Sequence, residues 1–253
     1  MKVIYHPSFT QVYTHDPAAQ AGRMEAVLRE IQDLADFLEP SPASKEQICL
    51  AHAPSHLQHV EAMGLYAIAS LAAGGAVLAA KTGLSEPCFG LIRPPGHHAS
   101  HSHCWGFCYF NNMAVALLSL RQEGLIKTAL VLDIDLHFGD GTVDILGQET
   151  WVRIYNPSAR TRELYLEEVK EALRGPRVDI IGISAGFDFH QEDWGGLLST
   201  EDYETIGRLA TLAAQEWKAG CFAILEGGYN LNVLGKNVRA LLQAMEHPQS
   251  EGS

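Results

Sequence analysis

The chain has 253 residues, 47% of them hydrophobic and 19% charged, enough for a sizeable core and too apolar for a disordered, collagen-like or coiled-coil chain. Eighteen Lys and Arg against thirty Asp and Glu leave a formal charge of -12, which repels phosphate backbones and anionic lipid and argues against nucleic acid or a membrane as partner. Five scattered cysteines without a CxxC pair, and no apolar leader after Met1, predict a reduced cytoplasmic protein without disulfides.

A first strand is expected at Val3-Ile4-Tyr5. Met24, Val27, Leu28, Ile31, Leu34 and Leu38 then recur at steps of three and four, which predicts a helix over 24–38. Glu39-Pro40-Ser41-Pro42-Ala43-Ser44 is linker-like but comes too early to separate one domain from another, so 1–253 reads as a single domain. The Ala- and Gly-rich run over 65–80 is too short for a bilayer span and reads as a buried helix. Short apolar runs at 89–92, 129–134, 152–155, 180–184 and 222–225 read as strands, and 203–217 and 233–245 as amphipathic helices. Apolar strands alternating with helices predict an α/β fold, a mostly parallel central sheet with helices on both faces.

Polar, glycine-containing segments follow four of these strands: Arg93-Pro94-Pro95-Gly96-His97-His98, Asp135-Leu136-His137, Ala185-Gly186-Phe187-Asp188 and Glu226-Gly227-Gly228-Tyr229. Ligands of open parallel sheets bind outside the carboxyl ends of the strands, so four loops deliver His, Asp and Tyr to one rim. Residues two apart on an extended segment share a face, which aligns Asp133, Asp135 and His137. Adjacent carboxylates repel unless a cation lies between them, and a carboxylate with an imidazole is half of a metal site. An EF-hand is excluded, because Phe138 stands where that loop needs Gly. Asp188 is the best third ligand. Two Asp and one His leave room for water, as a catalytic zinc requires, and also suit iron, cobalt or manganese. Of the pair His97-His98, one imidazole beside such a site is a general base, and Asp133 and Asp140 are available to orient the two rings. Tyr229 reads either as a hydrogen-bond donor to an oxyanion or as a tyrosine packed at a strand end. His101, His103 and Cys104 read as a polar loop without matching partners. Gly106-Phe107-Cys108-Tyr109-Phe110-Asn111-Asn112 reads mostly as core, with Phe107 lining a pocket and Cys108 inert in apolar company.

Taken together, residues 93–99, 106–112, 133–142, 184–188 and 226–230 resemble, in order, the motifs of the histone deacetylase and acetylpolyamine amidohydrolase family, in a short bacterial-type form. The resemblance implies an arginase-deacetylase fold and one catalytic Zn2+, or Fe2+ or Co2+ in its place, held by Asp135, His137 and Asp188. It casts His98 as general base and acid paired with Asp140, His97 as its electrostatic partner backed by Asp133, and Tyr229 as the donor to the carbonyl. Gly106 and Phe107 match the wall of an acyl-lysine channel. The substrate implied is an acylated amine, a small molecule or a lysine side chain. The segment from Asp140 to Asp188 is shorter than in the family and lacks a glycine-rich stretch with a second channel aromatic. Tyr155-Asn156-Pro157 stands where the family has a loop serving a structural K+ near Asp133. These departures predict a pocket with one aromatic wall, suited to a small amine or polyamine amide more than to an acetyl-lysine peptide. Rival readings are a binuclear manganese ureohydrolase and a non-catalytic acyl-lysine binding protein on the same fold. Nothing in the residues fixes the oligomeric state.

Overall fold

The computed structural model describes residues 1–249. Its strands are β1 (Lys2–Ile4), β2 (Asp36–Leu38), β3 (Cys88–Gly90), β4 (Ala129–Asp133), β5 (Val152–Tyr155), β6 (Ile180–Ala185) and β7 (Gly220–Leu225). They form one sheet in the order β2-β1-β3-β7-β6-β4-β5, and every pairing is parallel. The central strands β4, β6 and β7 are buried along their whole length, the reason they read as continuous apolar runs rather than alternating ones.

The helices are α1 (Arg23–Ile31), α2 (Lys45–Ala51), α3 (Pro54–Ala62), α4 (Tyr66–Gly83), α5 (Asn112–Gln122), α6 (Asp140–Leu146), α7 (Arg162–Ala172), α8 (Thr200–Trp217) and α9 (Leu234–Glu246). Helix α4 packs on α5, β3 and β7, while α9 packs on α1 and α8, so the sheet is sheltered by two helix layers. Small residues let α4 approach closely: a Cβ on Gly74 would fall 1.9 Å from the Ser41 carbonyl oxygen. The linker-like segment 39–44 therefore lies directly on α4, and the Ala43 N–H donates to the Ser70 carbonyl at 2.8 Å. Among the described residues, no helix is long and apolar enough to cross a membrane.

The helix expected over 24–38 ends at Ile31, where the N–H groups of Leu34 and Ala35 both close on the Ile31 carbonyl at 3.0 Å. Arg239 holds the turn by donating to the Glu30 carbonyl and, at 2.8 Å, to Asp33. Residues 36–38 instead pair with β1 as an edge strand. Three residues of ladder supply hydrogen bonds from outside the segment, which a periodicity count does not register.

Candidate active site

The strands β3, β7, β6 and β4 are consecutive neighbours in the sheet, and the segments leaving their carboxyl ends build the site. The segment after β3 carries His97 and His98 and is pinned from several sides. Gly96 and His97 donate their backbone N–H groups to Glu226 Oε2 at 2.7 and 3.3 Å. Asn112 Nδ2 donates to the Pro94 carbonyl at 3.0 Å, and Asn111 Nδ2 to that of Ala99 at 3.1 Å. Thr142, in the first turn of α6, donates its N–H to the His97 carbonyl at 3.0 Å. The buried Arg93 donates to the carbonyls of Ala18 and Gln20, tying the N-terminal segment to the same loop.

Each imidazole has a carboxylate behind it. His97 Nδ1 lies 3.1 Å from Asp133 Oδ2, and His98 Nδ1 lies 2.6 Å from Asp140 Oδ1. The rings are 4.1 Å apart, yet their surroundings push them in opposite directions. For His97 burial disfavours the charge, but Asp135, Asp133 and Glu226 outweigh it and hold the imidazole well above its ordinary pKa. For His98 burial and then the charge of His97 prevail over Asp140 and lower the pKa to about 4. Titratable neighbours separated in this way are the usual mark of divided acid and base roles.

Asp135, His137 and Asp188 each offer one atom within 4.8 Å of the others. His137 Nδ1 lies 3.2 Å from Asp135 Oδ1 and 3.1 Å from Asp188 Oδ2. Hydrogen bonds to these two carboxylates raise its pKa to about 10, so the cradle favours positive charge. Asp188 Oδ2 is buried and, beyond its 3.1 Å contact with His137 Nδ1, meets no donor, which leaves acceptor capacity for a cation. The other oxygens are held by backbone donors: Leu136 N–H on Asp188 Oδ1 at 3.1 Å and Gly227 N–H on Asp135 Oδ2 at 2.9 Å. One imidazole and two carboxylates with an open side fit a zinc ion. Among the described residues the other group at metal-ligating spacing is His97, Cys108 and Glu226. It is a poor site, because Asp133 already engages His97 Nδ1 and burial pushes the Cys108 thiol up, keeping it protonated. His101, His103 and Cys104 join neither group.

A pocket of about 120 Å³ opens over the cradle, lined by Pro95, His97, His98, Trp105, Gly106, Phe107, His137, Trp194, Gly227 and Tyr229. Gly106 and Phe107 both have positive φ, +57° and +68°, a conformation costly for Phe that persists only where the surroundings enforce it. It turns the Phe107 ring edge-on to Tyr229, with centroids 6.1 Å apart. Contrary to the single aromatic wall expected, Trp194 stacks on Tyr229 at 4.1 Å and meets His137 edge-on at 6.1 Å. Trp105 covers His98 on another side, with ring centroids 4.0 Å apart. The shortened chain after Asp140 thus borrows its walls from residues just before Gly106 and just after Asp193.

The supporting residues were not evident from the sequence. Arg23, fully buried, donates to the carbonyls of Glu226 at 2.6 Å and Gly228 at 2.8 Å. Asp193 Oδ2 accepts from the N–H groups of Tyr229 and Asn230 at 2.8 and 2.7 Å. Asn156 Oδ1, in the replaced loop, accepts from Gly139 N–H at 2.9 Å. Only the motif position of Glu226 and the replaced loop Tyr155-Asn156-Pro157 hinted at any of them.

The histone deacetylase domain family matches residues 17–165 and 152–245 of the chain. The chain is 28% identical to a probable deacetylase of Methanothermobacter thermautotrophicus, covering 99% of this chain and 92% of that protein. It is 29% identical to a probable deacetylase of Archaeoglobus fulgidus, covering 94% and 82%. Identity to the acetylpolyamine amidohydrolase of Mycoplana ramosa is 29%, over 67% of this chain and 57% of that one. Among solved structures, the HDA15 HD domain has the same fold, with a TM-score of 0.81 at 20% identity and 99% and 90% of the two chains covered.

Proposed function

The chain belongs to the histone deacetylase family of hydrolases, and from that premise we propose that it is a zinc-dependent amidohydrolase that removes a short acyl group, acetyl foremost, from an amine. The observation that carries this reading is a pair of adjacent imidazoles, each backed by a carboxylate, beside a three-ligand cradle. Asp135, His137 and Asp188 would hold the ion. Bound there, zinc supplies Lewis-acid polarisation of the acyl carbonyl and acidifies a coordinated water.

The chain's own groups do the rest. An ionised Asp140 only accepts, so the Nδ1 of His98 carries the proton and Nε2 is left as the base. Nε2 takes a proton from the attacking water and later returns it to the leaving amine nitrogen. His97, kept positive by Asp133 and Asp135, offsets negative charge that develops beside it. Tyr229 is held neutral, burial raising its pKa, and its hydroxyl donates to the carbonyl oxygen as that becomes an oxyanion.

A second metal finds little support. The residues following Asp188 are Phe189 and His190, and His190 turns to Thr200 and accepts from the Glu192 N–H. The test is to load the chain with zinc and assay acetate release from acetyl-lysine peptides, acetylpolyamines and small N-acetyl amines. Turnover of at least one class is expected, and failure on all three would overturn the reading. Asp135→Ala, His137→Ala or Asp188→Ala should each lose bound zinc and turnover together. Full zinc content in any of them would remove that residue from the ligand set.

A further inference from the structure

The two His–Asp pairs are chemically alike and differently housed. The side chains of His97 and Asp133 are 4% and 1% exposed. His98 is as well buried, but the Asp140 side chain is 47% exposed. A carboxylate in water is screened and free to rotate, which weakens any single partnership it makes. Trp105 compensates for this exposure. Its Nε1–H donates to Asp140 Oδ2 at 2.9 Å while Oδ1 faces His98, so both oxygens of the carboxylate are fixed. The indole also lies over the His98 ring, 4.0 Å between centroids and 33° between planes. The next residue completes the clamp: a Cβ on Gly106 would fall 2.4 Å from His98 Cδ2. Core packing does not explain Trp105, which is 50% exposed.

We propose that Trp105 is a positioning residue for proton transfer, acting through Asp140 to hold His98 in one tautomer and orientation with Nε2 toward the pocket. This rests on the hydrolase reading above. Two contributions are separable, the N–H on the carboxylate and the face on the imidazole. Trp105→Phe keeps an aromatic cover and removes the donor, whereas Trp105→Ala removes both.

In the zinc-loaded enzyme, Trp105→Phe should lower kcat about tenfold with KM and zinc content unchanged, the scale of one lost charge-assisted hydrogen bond. In an Asp140→Ala background the same substitution should change kcat by less than about twofold, because the route through Asp140 is already gone. An unchanged kcat in Trp105→Phe, or an equal loss in both backgrounds, would overturn the proposal. A second readout needs no turnover. The Trp105 indole N–H resonance, identified by its disappearance in Trp105→Phe, should move upfield in Asp140→Ala. A resonance that stays put overturns the contact even if the enzyme is active. Should no acyl amine be hydrolysed, the function falls, and the resonance still decides whether Trp105 and Asp140 are coupled.

Discussion

His97 and His98 are neighbours in sequence, and what lies behind each determines which of them carries charge. His97 backs onto the buried carboxylates Asp133, Asp135 and Glu226, whereas His98 has Asp140 on one side and the positive His97 on the other. A lowered pKa keeps His98 neutral as pH falls, so the proposed base persists below the ordinary imidazole range and is lost only near the lowered value of about 4. At saturating zinc, kcat/KM should therefore keep at least about half its pH 7 value at pH 5.5. An acid limb centred near 6.5 would show that the surroundings of His98 do not depress it. Tyr229 gives a cleaner separation of chemistry from binding. Tyr229→Phe keeps the ring that Trp194 and Phe107 pack against and loses only the hydroxyl. It should lower kcat by about 10²–10³ with zinc content intact, and near-normal turnover would return Tyr229 to a packing role. The residues legible in the sequence are those whose grouping is local, Asp133, Asp135 and His137, and His97 beside His98. Even so, β4 ends at Asp133 and the chain bends over 135–137, so that Asp133 meets His97 while Asp135 and His137 enter the cradle instead of sharing one extended face. Glu226 reaches Gly96 across 130 positions and Arg23 reaches Glu226 across 203. No window of sequence contains such a contact.

The central strands β4, β6 and β7 could be read from composition because they are buried on both faces and leave no alternation to misinterpret. The edge strand β2 could not. Two of its three residues are exposed, and Leu38 continues the helical spacing begun at Met24, so local pattern and tertiary pairing point different ways. Loops follow a similar rule. The shortened segment between α6 and β6 predicted a single aromatic wall, whereas Trp194 turns back to stack on Tyr229 and supplies another. That depends on Asp193 holding the Tyr229 and Asn230 N–H groups while its other oxygen accepts from Trp194 N–H at 2.8 Å. The turn after β7 shows how closely these loops are fitted. Gly227 passes between Asp135 and Asp188, and a Cβ there would lie 2.5 Å from Asp135 Oδ2 and 2.7 Å from Asp188 Oδ2. Gly227→Ala should leave the sheet folded, since the residue lies beyond β7, yet displace both carboxylates. Zinc affinity should fall at least about tenfold, the scale seen when groups supporting metal ligands are disturbed. Normal zinc binding with a normal melting transition would mean that the cradle tolerates the methyl.

For the molecule as a whole, charge and pocket shape bear on the substrate together. A formal charge of -12 surrounds a pocket lined, among the described residues, by no lysine, arginine or carboxylate. The field draws cationic amines toward the mouth, while the mouth itself offers indole faces, Trp105 and Trp194, each about half exposed. Indole faces attract ammonium groups. The lining provides no acid to grip a peptide backbone. A small cationic N-acetyl amine, such as an acetylpolyamine, should therefore exceed an acetyl-lysine peptide in kcat/KM. Steering by net charge acts over a Debye length of about 10 Å at 0.1 M salt and about 3 Å at 1 M. The advantage of the cationic substrate should thus shrink severalfold between those salt concentrations, mainly through kcat/KM rather than kcat. Trp194→Ala should reduce whatever advantage salt does not remove, because that remainder comes from the indole. Measuring both substrates with the wild type and Trp194→Ala at the two ionic strengths separates field from contact. If the peptide is preferred at both, neither the charge nor the indoles select the substrate, and protein deacetylation becomes the better account.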